Sequence, residues 1–390
     1  MSSQKKMTRR DLALTAALFA QAGGAKGAAA DEGHKYTGPL DGFETKVRME
    51  AFDPVAWTVD RHKTAPMKMT FNATNKRHAE SWQKAFRSKV TELVGGFPKN
   101  HTPLGPQTLD VADFPDYRRE RFIIETRPGV MLLGVLLTPK TTGKRFSTVI
   151  CVPGHGRGVD DIIGVDDKGK TISSDRNIYH DFALQVVRQG QAAVAIENMA
   201  FGCRRDQKTM DKGLGASACQ PTAGAALLLG ETMVGWRVYD VMRTIDWIGT
   251  RPELDAKRIG CMGLSGGGTV TLFSAALDTR IKAAFVSGYL NTFRDCIMSV
   301  SHCIDNYVPG ILNWGEMYDV AGLIAPRPLF AESGERDPIF PLKGFNEAFS
   351  HVQSTYEVFG AKEHTGHEVH GGAHEFSGRE GLPWLKGKLG

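Results

Sequence analysis

Long apolar runs are missing from this sequence. No stretch of about 18 or more uncharged apolar residues occurs, which excludes a polytopic membrane protein. Cysteine is sparse, with six residues and no C-x-x-C pair, so a redox dithiol or a zinc ribbon is not expected. Net charge is small: 48 Lys and Arg against 43 Asp and Glu give +5. Residues 1–30 hold +4 of that total, through Lys5, Lys6, Arg9, Arg10 and Lys26 against Asp11, leaving +1 for the remainder. A nucleic-acid binder needs a basic stripe in its folded part, and this sum supplies none. There is no internal repeat. With 41% hydrophobic residues over 390 positions, the chain can build one large domain or two. A disordered chain, a coiled coil and a collagen are excluded.

The first residues read as an address. Thr8-Arg9-Arg10-Asp11-Leu12 precedes a short apolar run from Leu12 to Ala22, and Ala28-Ala29-Ala30 offers a small-residue cleavage step before Asp31. That layout is an export signal of the twin-arginine type, so a periplasmic or secreted protein is expected. The run is too short to span a bilayer, and no stable membrane insertion is expected. Export permits disulfides. Cys151 and Cys261 sit in apolar strand-like runs and read as buried thiols. Cys203, Cys219, Cys296 and Cys303 lie in polar, loop-like contexts, where a Cys203–Cys219 bridge is one candidate among three connectivities.

Three regions follow from punctuation and periodicity: the signal (1–30), an N-terminal extension (31–118) and a catalytic domain (119–390). The extension carries a helix over 76–94, with Trp82, Phe86, Val90 and Leu93 on one stripe and Gly95-Gly96 as its stop. Residues 97–118 read as a proline-rich connection. Strand-like runs at 121–126 and 130–138 flank Pro128-Gly129 as a hairpin. Apolar strands at 148–152, 192–196, 258–262, 283–287, 328–332 and 367–370 then alternate with helical stretches at 179–188, 222–248, 266–277 and 340–352. The 222–248 stretch invites a break near Gly230 or Gly235. This alternation predicts an α/β fold with a mostly parallel central sheet covered by helices on both faces.

The most informative stretch is Arg258-Ile259-Gly260-Cys261-Met262-Gly263-Leu264-Ser265-Gly266-Gly267-Gly268. It reads as strand, G-x-S-x-G, helix. A serine on a sharp strand-to-helix turn presents an exposed hydroxyl, and glycines beside it remove side chains that would clash. The helix N-terminus aims backbone N–H groups at the site. The competing reading is a structural glycine turn or a phosphate cradle, but Gly263–Thr269 lacks the Lys-Ser/Thr of a P-loop. Ser265 is therefore the candidate nucleophile.

A serine hydroxyl needs a base, and the base an orienting acid. Asp337 follows the 328–332 strand, where open α/β sheets place their sites; Glu332, Glu335 and Asp319 are its rivals. His374 follows Gly371-Gly372-Ala373 after the last strand and is the candidate base; His302, His351, His364, His367 and His370 fit less well. The run His364, His367, His370, His374 has spacings of a helical metal site, but its glycines and Val369 disfavour a helix, and in a strand His367 and His370 face opposite sides. No metal and no cofactor are expected. The loop Pro153-Gly154-His155-Gly156-Arg157-Gly158 follows an early strand, and its small residues let the backbone approach a carbonyl oxygen. The N–H of Gly156 or Arg157, with that of Gly266, is the candidate oxyanion hole. His155, Arg204 and Arg205 are candidate substrate contacts, although solvation is the plainer reading of the two arginines.

These motifs resemble those of an α/β-hydrolase of the dienelactone-hydrolase and acetylxylan-esterase-like group of exported bacterial esterases. The likeness runs from about Phe122 to Trp384. It includes the Pro-Gly-His-Gly loop, Gly-Leu-Ser265-Gly-Gly, Ala325-Pro326-Arg327-Pro328, Asn306-Tyr307-Val308-Pro309-Gly310, Asp337-Pro338 and Gly-Gly-Ala-His374. The inserted Ala373 departs from the group's Gly-Gly-His spacing. The resemblance implies ester hydrolysis, on short-acyl carbohydrate esters or similar small molecules, since no long lipase-type lid is evident. Two alternatives stand beside it: a serine peptidase of the prolyl-oligopeptidase type, for which 76–118 is too short to form a propeller, and a non-catalytic binding protein on the same scaffold.

Overall fold

The computed structural model describes residues 35–141, 145–171 and 177–390; the export signal expected over 1–30 lies outside them. The chain falls into two compact units, one ending at Pro54 and the other spanning Val55–Gly390. In the first, the described residues form turns and one 3-10 turn, Met49–Phe52, with Tyr36, Phe43 and Phe52 exposed. Among the described residues, no helix is long and apolar enough to cross a membrane.

The described residues of the second unit are organised on one nine-stranded sheet. Its strands are β1 (Gln107–Asp113), β2 (Tyr117–Arg127), β3 (Val130–Pro139), β4 (Phe146–Val152), β5 (Ala192–Ile196), β6 (Leu254–Leu264), β7 (Ile281–Ser287), β8 (Leu329–Gly334) and β9 (Thr365–His370). They lie in the order β1-β2-β3-β5-β4-β6-β7-β8-β9. The pairs from β1 to β5 through β2 and β3 are antiparallel, and every pair from β5 through β4 to β9 is parallel. All five residues of β5 are buried, as a strand covered on both faces requires. β4 sits between β5 and β6, so the direction of chain progression reverses there. Such a switch point opens a crevice at the strands' C-terminal ends, and the loops carrying His155 and Ser265 leave from it.

The helices are α1 (Pro54–His62), α2 (Lys76–Leu93), α3 (Phe182–Arg188), α4 (Gln207–Met210), α5 (Cys219–Leu228), α6 (Met233–Ile248), α7 (Gly266–Leu277), α8 (Met317–Gly322), α9 (Leu342–Val358) and α10 (Gly381–Leu389). One apolar core joins the sheet to α2, α6, α7, α8 and α9. A second joins its opposite face to α3 and α10. This is the mostly parallel, doubly covered sheet expected from the alternation of strands and helices.

Two local expectations are corrected and a third is met. The helix at 76–94 is present as α2, but it is not part of a separate extension. Its Ala79, Phe86 and Val90 are fully buried in the sheet's own core, and Gln83 Nε2 donates to the carbonyls of Gly322 and Ala325. The connection at 97–118 contains β1, whose Leu109 and Val111 point outward and so leave no burial pattern to read. The break invited near Gly230 is present, and the 222–248 stretch forms the end of α5 and all of α6. Gly230 turns the chain at φ +73°, and the Thr232 side chain accepts the Gly235 N–H to start α6.

Candidate active site

The elbow is the tightest point of the fold. Ser265 has φ 60° and ψ −122°, a conformation that costs a non-glycine residue about 1–3 kcal/mol and persists only when its surroundings enforce it. Two of those constraints are visible in the glycines. A Cβ on Gly267 would lie 1.9 Å from the Val152 carbonyl oxygen, and one on Gly263 would lie 2.6 Å from the same atom. The end of β4 therefore passes under the turn at a distance only glycine permits. The Ser265 N–H donates to Ser287 O at 3.0 Å, tying the elbow to the end of β7.

Asp337 follows β8 and His374 follows β9. His374 Nδ1 lies 2.7 Å from Asp337 Oδ2. Asp337 Oδ1 accepts the N–H groups of Ile339 at 2.8 Å and Phe340 at 3.0 Å, so the buried carboxylate is held at both oxygens. The Phe340 ring stacks on the imidazole, with centroids 5.5 Å apart. His374 Nε2 is buried and has no protein hydrogen-bond partner. A Nδ1–H donated to Asp337 leaves Nε2 as the acceptor nitrogen. A Cβ on Gly288 would lie 3.2 Å from His374 Cε1, and Gly288 follows the Ser287 that binds the Ser265 N–H. Ser265, His374 and Asp337 are thus brought together around the ends of β6, β7 and β8. The inserted Ala373 is absorbed in the loop: Arg336 N–H donates to Gly372 O, Glu335 N–H donates to His370 O, and Gly334 gives Ala373 O room that a Cβ would fill to 1.9 Å.

The rival groups are engaged elsewhere. Glu332 accepts the Ser287 hydroxyl at 2.6 Å and the N–H groups of Ser377 and Gly378, fastening the chain beyond His374 to the sheet. Glu335 is exposed, and Asp319 closes a capping box with Glu316 at the start of α8. His364 bonds to Pro326 O, His367 packs on Phe349, His370 Nδ1 accepts the Gly372 N–H, His351 stacks on Tyr318, and His302 rests on Phe340.

Opposite the elbow, Gly154 has no room for a side chain: a Cβ there would lie 3.1 Å from Ser265 Cβ and 2.8 Å from Leu264 O. The Tyr179 hydroxyl holds this loop by donating to His155 O at 2.6 Å. Arg157 is removed from the oxyanion candidates, because its N–H is donated to Asp161 Oδ2 at 2.7 Å. Gly266 faces this loop, where a Cβ on it would lie 3.6 Å from Gly154 Cα and 3.7 Å from His155 Nδ1, whereas one on Gly156 would meet Asp161 Oδ2 at 2.3 Å. The two arginines considered for substrate are also committed within the fold. Arg204 pairs with Asp240 at 2.7 Å and donates to Glu197 O, and Arg205 donates to the carbonyls of Gly202, Gly213 and Ala216. Arg204 lines a cavity of about 780 Å³ with Phe97, Arg127 and Trp236, and none of Ser265, Asp337 and His374 borders it. The Cys203–Cys219 bridge does not form: both thiols are free, Cys203 exposed and Cys219 buried. The first turn of α5 turns Cys219 inward, toward His155 and Asp305.

The model of the Abhydrolase family matches residues 58–377, a span that holds the elbow, Asp337 and His374. The chain belongs to this family. Its match begins before α2, in keeping with the packing of that helix into the catalytic unit. YtaP of Bacillus subtilis (strain 168), provisionally named a hydrolase, is 24% identical over 286 residues, 71% of this chain and 89% of its own length. Among solved structures, a protein of Bacteroides fragilis NCTC 9343 (BF1801), provisionally named an acetyl xylan esterase, superposes with a TM-score of 0.73 at 18% identity, covering 86% of this chain and 95% of its own. A glucuronoyl esterase from Solibacter usitatus superposes with a TM-score of 0.61 at 15% identity over 80% and 94%. The shared fold is the α/β-hydrolase fold.

One constellation escaped the sequence reading. His155, Cys219, Cys303 and Asp305 converge beside the elbow, with Arg237 against them. Cys219 is 64 residues from His155 and 86 from Asp305, so no local spacing could announce the group.

Proposed function

We infer that the protein is a serine esterase acting on short-acyl, chiefly acetyl, esters of carbohydrates or similar small molecules. The observation that carries this reading is the Asp337–His374 bond, which leaves His374 Nε2 buried and unpartnered on a ring that lies against Gly288, next to the Ser287 whose carbonyl binds the Ser265 N–H. His374 takes the Ser265 hydroxyl proton as Oγ attacks the ester carbonyl carbon. The negative charge on the carbonyl oxygen is received by the N–H groups of Gly266 and Gly156, the first at a helix N-terminus. Collapse of the tetrahedral species expels the alcohol, which takes its proton from His374. Water, deprotonated by the same imidazole, then releases the acid and restores Ser265. Asp337 holds the ring in the required tautomer throughout.

The acetyl xylan and glucuronoyl esterases named among the neighbours support a carbohydrate ester as substrate. The test is a hydrolysis panel of acetyl, longer-acyl and methyl-uronate esters, run beside matched amides and repeated with Ser265→Ala. Fastest turnover of acetyl esters is expected. Preference for amides would favour the peptidase reading, and no covalent labelling by a fluorophosphonate would favour a binding protein. We also propose export through Arg9-Arg10, with a mature N-terminus near Asp31. Replacing both arginines by lysine should retain the protein in the cytoplasm, and unprocessed active protein confined to the cytoplasm of the native cell would overturn the proposal.

A further inference from the structure

The four side chains that converge beside the elbow have no part in the Ser-His-Asp chemistry. His155 comes from the loop after β4, Cys219 from the first turn of α5, and Cys303 and Asp305 from the turn at 303–306. Their ligand-type atoms all lie within 4.8 Å of one another. Cys219 Sγ is 3.6 Å from His155 Nε2 and 3.3 Å from Asp305 Oδ2, and His155 Nε2 is 3.8 Å from Asp305 Oδ2. A tetrahedral Zn²⁺ with bonds of about 2.3 Å to sulfur and about 2.0–2.2 Å to nitrogen or oxygen sets its ligands roughly 3.3–3.8 Å apart. These three separations are the edges of such a tetrahedron.

The surroundings suit a cation held by thiolates. Arg237, itself 2% exposed, donates to Asp305 Oδ2 at 2.6 Å, to Cys219 Sγ at 3.6 Å and to Met199 O. Donors of this kind orient ligands and temper their charge. Two thiolates and one carboxylate carry −3, which Zn²⁺ and Arg237 together balance. Asp305 Oδ1 accepts from Asn306 Nδ2, and Asn306 Oδ1 accepts from Thr269 in the first turn of α7. The Phe201 ring packs against the His155 ring at 4.6 Å and under the Arg237 guanidinium at 4.5 Å, forming an apolar wall. His155 is 37% exposed, which leaves a way in.

We propose that His155 Nε2, Cys219 Sγ, Cys303 Sγ and Asp305 Oδ2 form a four-coordinate site for a divalent transition ion, Zn²⁺ by ligand type. Binding forms two metal–thiolate bonds and releases the two thiol protons to solvent, with neutral imidazole and ionised carboxylate as the other ligands. Four protein ligands leave no open position, so the ion is structural. It pins the loop that carries Gly154 and Gly156, the start of α5 and the 303–306 turn to one point beside Ser265.

The test is Co²⁺ loading of the full chain, with its thiols first shown to be reduced by thiol titration. One Co²⁺ per chain is expected, with a sulfur-to-cobalt charge-transfer band and the intense visible bands of tetrahedral geometry, all abolished by Zn²⁺ displacement. Cys303→Ser should weaken Co²⁺ binding by about tenfold or more, by analogy with losses at metal-site residues. Cys203→Ser, which alters a thiol outside the group, should bind as the parent does. The absence of a charge-transfer band from the reduced parent protein overturns the proposal, whatever the variants do. So does a Cys219–Cys303 disulfide found by peptide mapping of protein isolated without reductant.

Discussion

Asp337 and His374 are 37 residues apart in the chain and meet through one bond of 2.7 Å, Nδ1 to Oδ2. The other carboxylate oxygen is filled by two backbone N–H groups, so the aspartate cannot rotate without breaking three bonds. Asp337→Asn keeps an oxygen for those N–H groups but turns an NH₂ toward Nδ1. The ring must then accept at Nδ1 and carry its proton on Nε2, the wrong nitrogen for taking a proton from Ser265. The expected result is a normally folded protein whose kcat falls about ten-thousandfold. Ser265→Ala and His374→Ala should each lose on the order of a millionfold, and the double variant hardly more, because the two act as one unit. Esterase rates near the parent's in His374→Ala would remove His374 from the role.

The elbow makes a prediction about stability. Gly267→Ala places a methyl group 1.9 Å from Val152 O, a backbone atom at the end of a central strand. The strand and turn must part, at a cost of about 1–3 kcal/mol or more. Chemical denaturation should show that loss, and fluorophosphonate labelling of Ser265 should slow with it. An unchanged denaturation midpoint would mean that the turn is looser than this geometry.

The legible part of this molecule is the part whose cause is local. Strands β4 to β8 announce themselves as apolar runs because they are buried on both faces, and the elbow because its glycines are forced by one carbonyl, Val152 O. Asp337 and His374 were readable because each closely follows a strand on the site's side of the sheet. What stayed hidden is set by distant partners. The boundary expected at 118 dissolves because Gln83 bonds to carbonyls 239 and 242 residues away. Arg157 failed as an oxyanion donor because Asp161 captures its N–H, a bond that loop composition does not reveal. The inward turn of Cys219 depends on Asp305 and on Arg237, itself 68 residues from Asp305.

Arg204 separates a substrate contact from a structural one. Its side chain is 7% exposed and pairs with Asp240, which is 3% exposed and also meets Arg127 at 3.2 Å. Arg204→Ala strips one partner from a buried carboxylate, which should cost about 3 kcal/mol of stability. KM for neutral and acidic esters should hardly move. A large rise in KM for acidic esters, with stability intact, would return Arg204 to the substrate.

Glu197 gives the pH dependence. It directly follows β5, beneath the loop opposite the elbow, where Cβ atoms on Gly158 and Gly202 would come within 2.1 and 2.0 Å of its oxygens. Its Oε1 has no hydrogen-bond partner, and burial pushes its carboxyl up to about 8 from an ordinary 4.5. The neutral form is therefore favoured in the folded protein. A folded pKa above the unfolded one means that this group's contribution is complete below about pH 4.5 and is lost as pH rises through about 8. Glu197→Gln keeps the shape and deletes the titration. Urea denaturation across that window should show the parent losing stability with rising pH, by on the order of a few kcal/mol, relative to the variant. Parallel stability curves for the two proteins would mean that Glu197 is already ionised in its pocket.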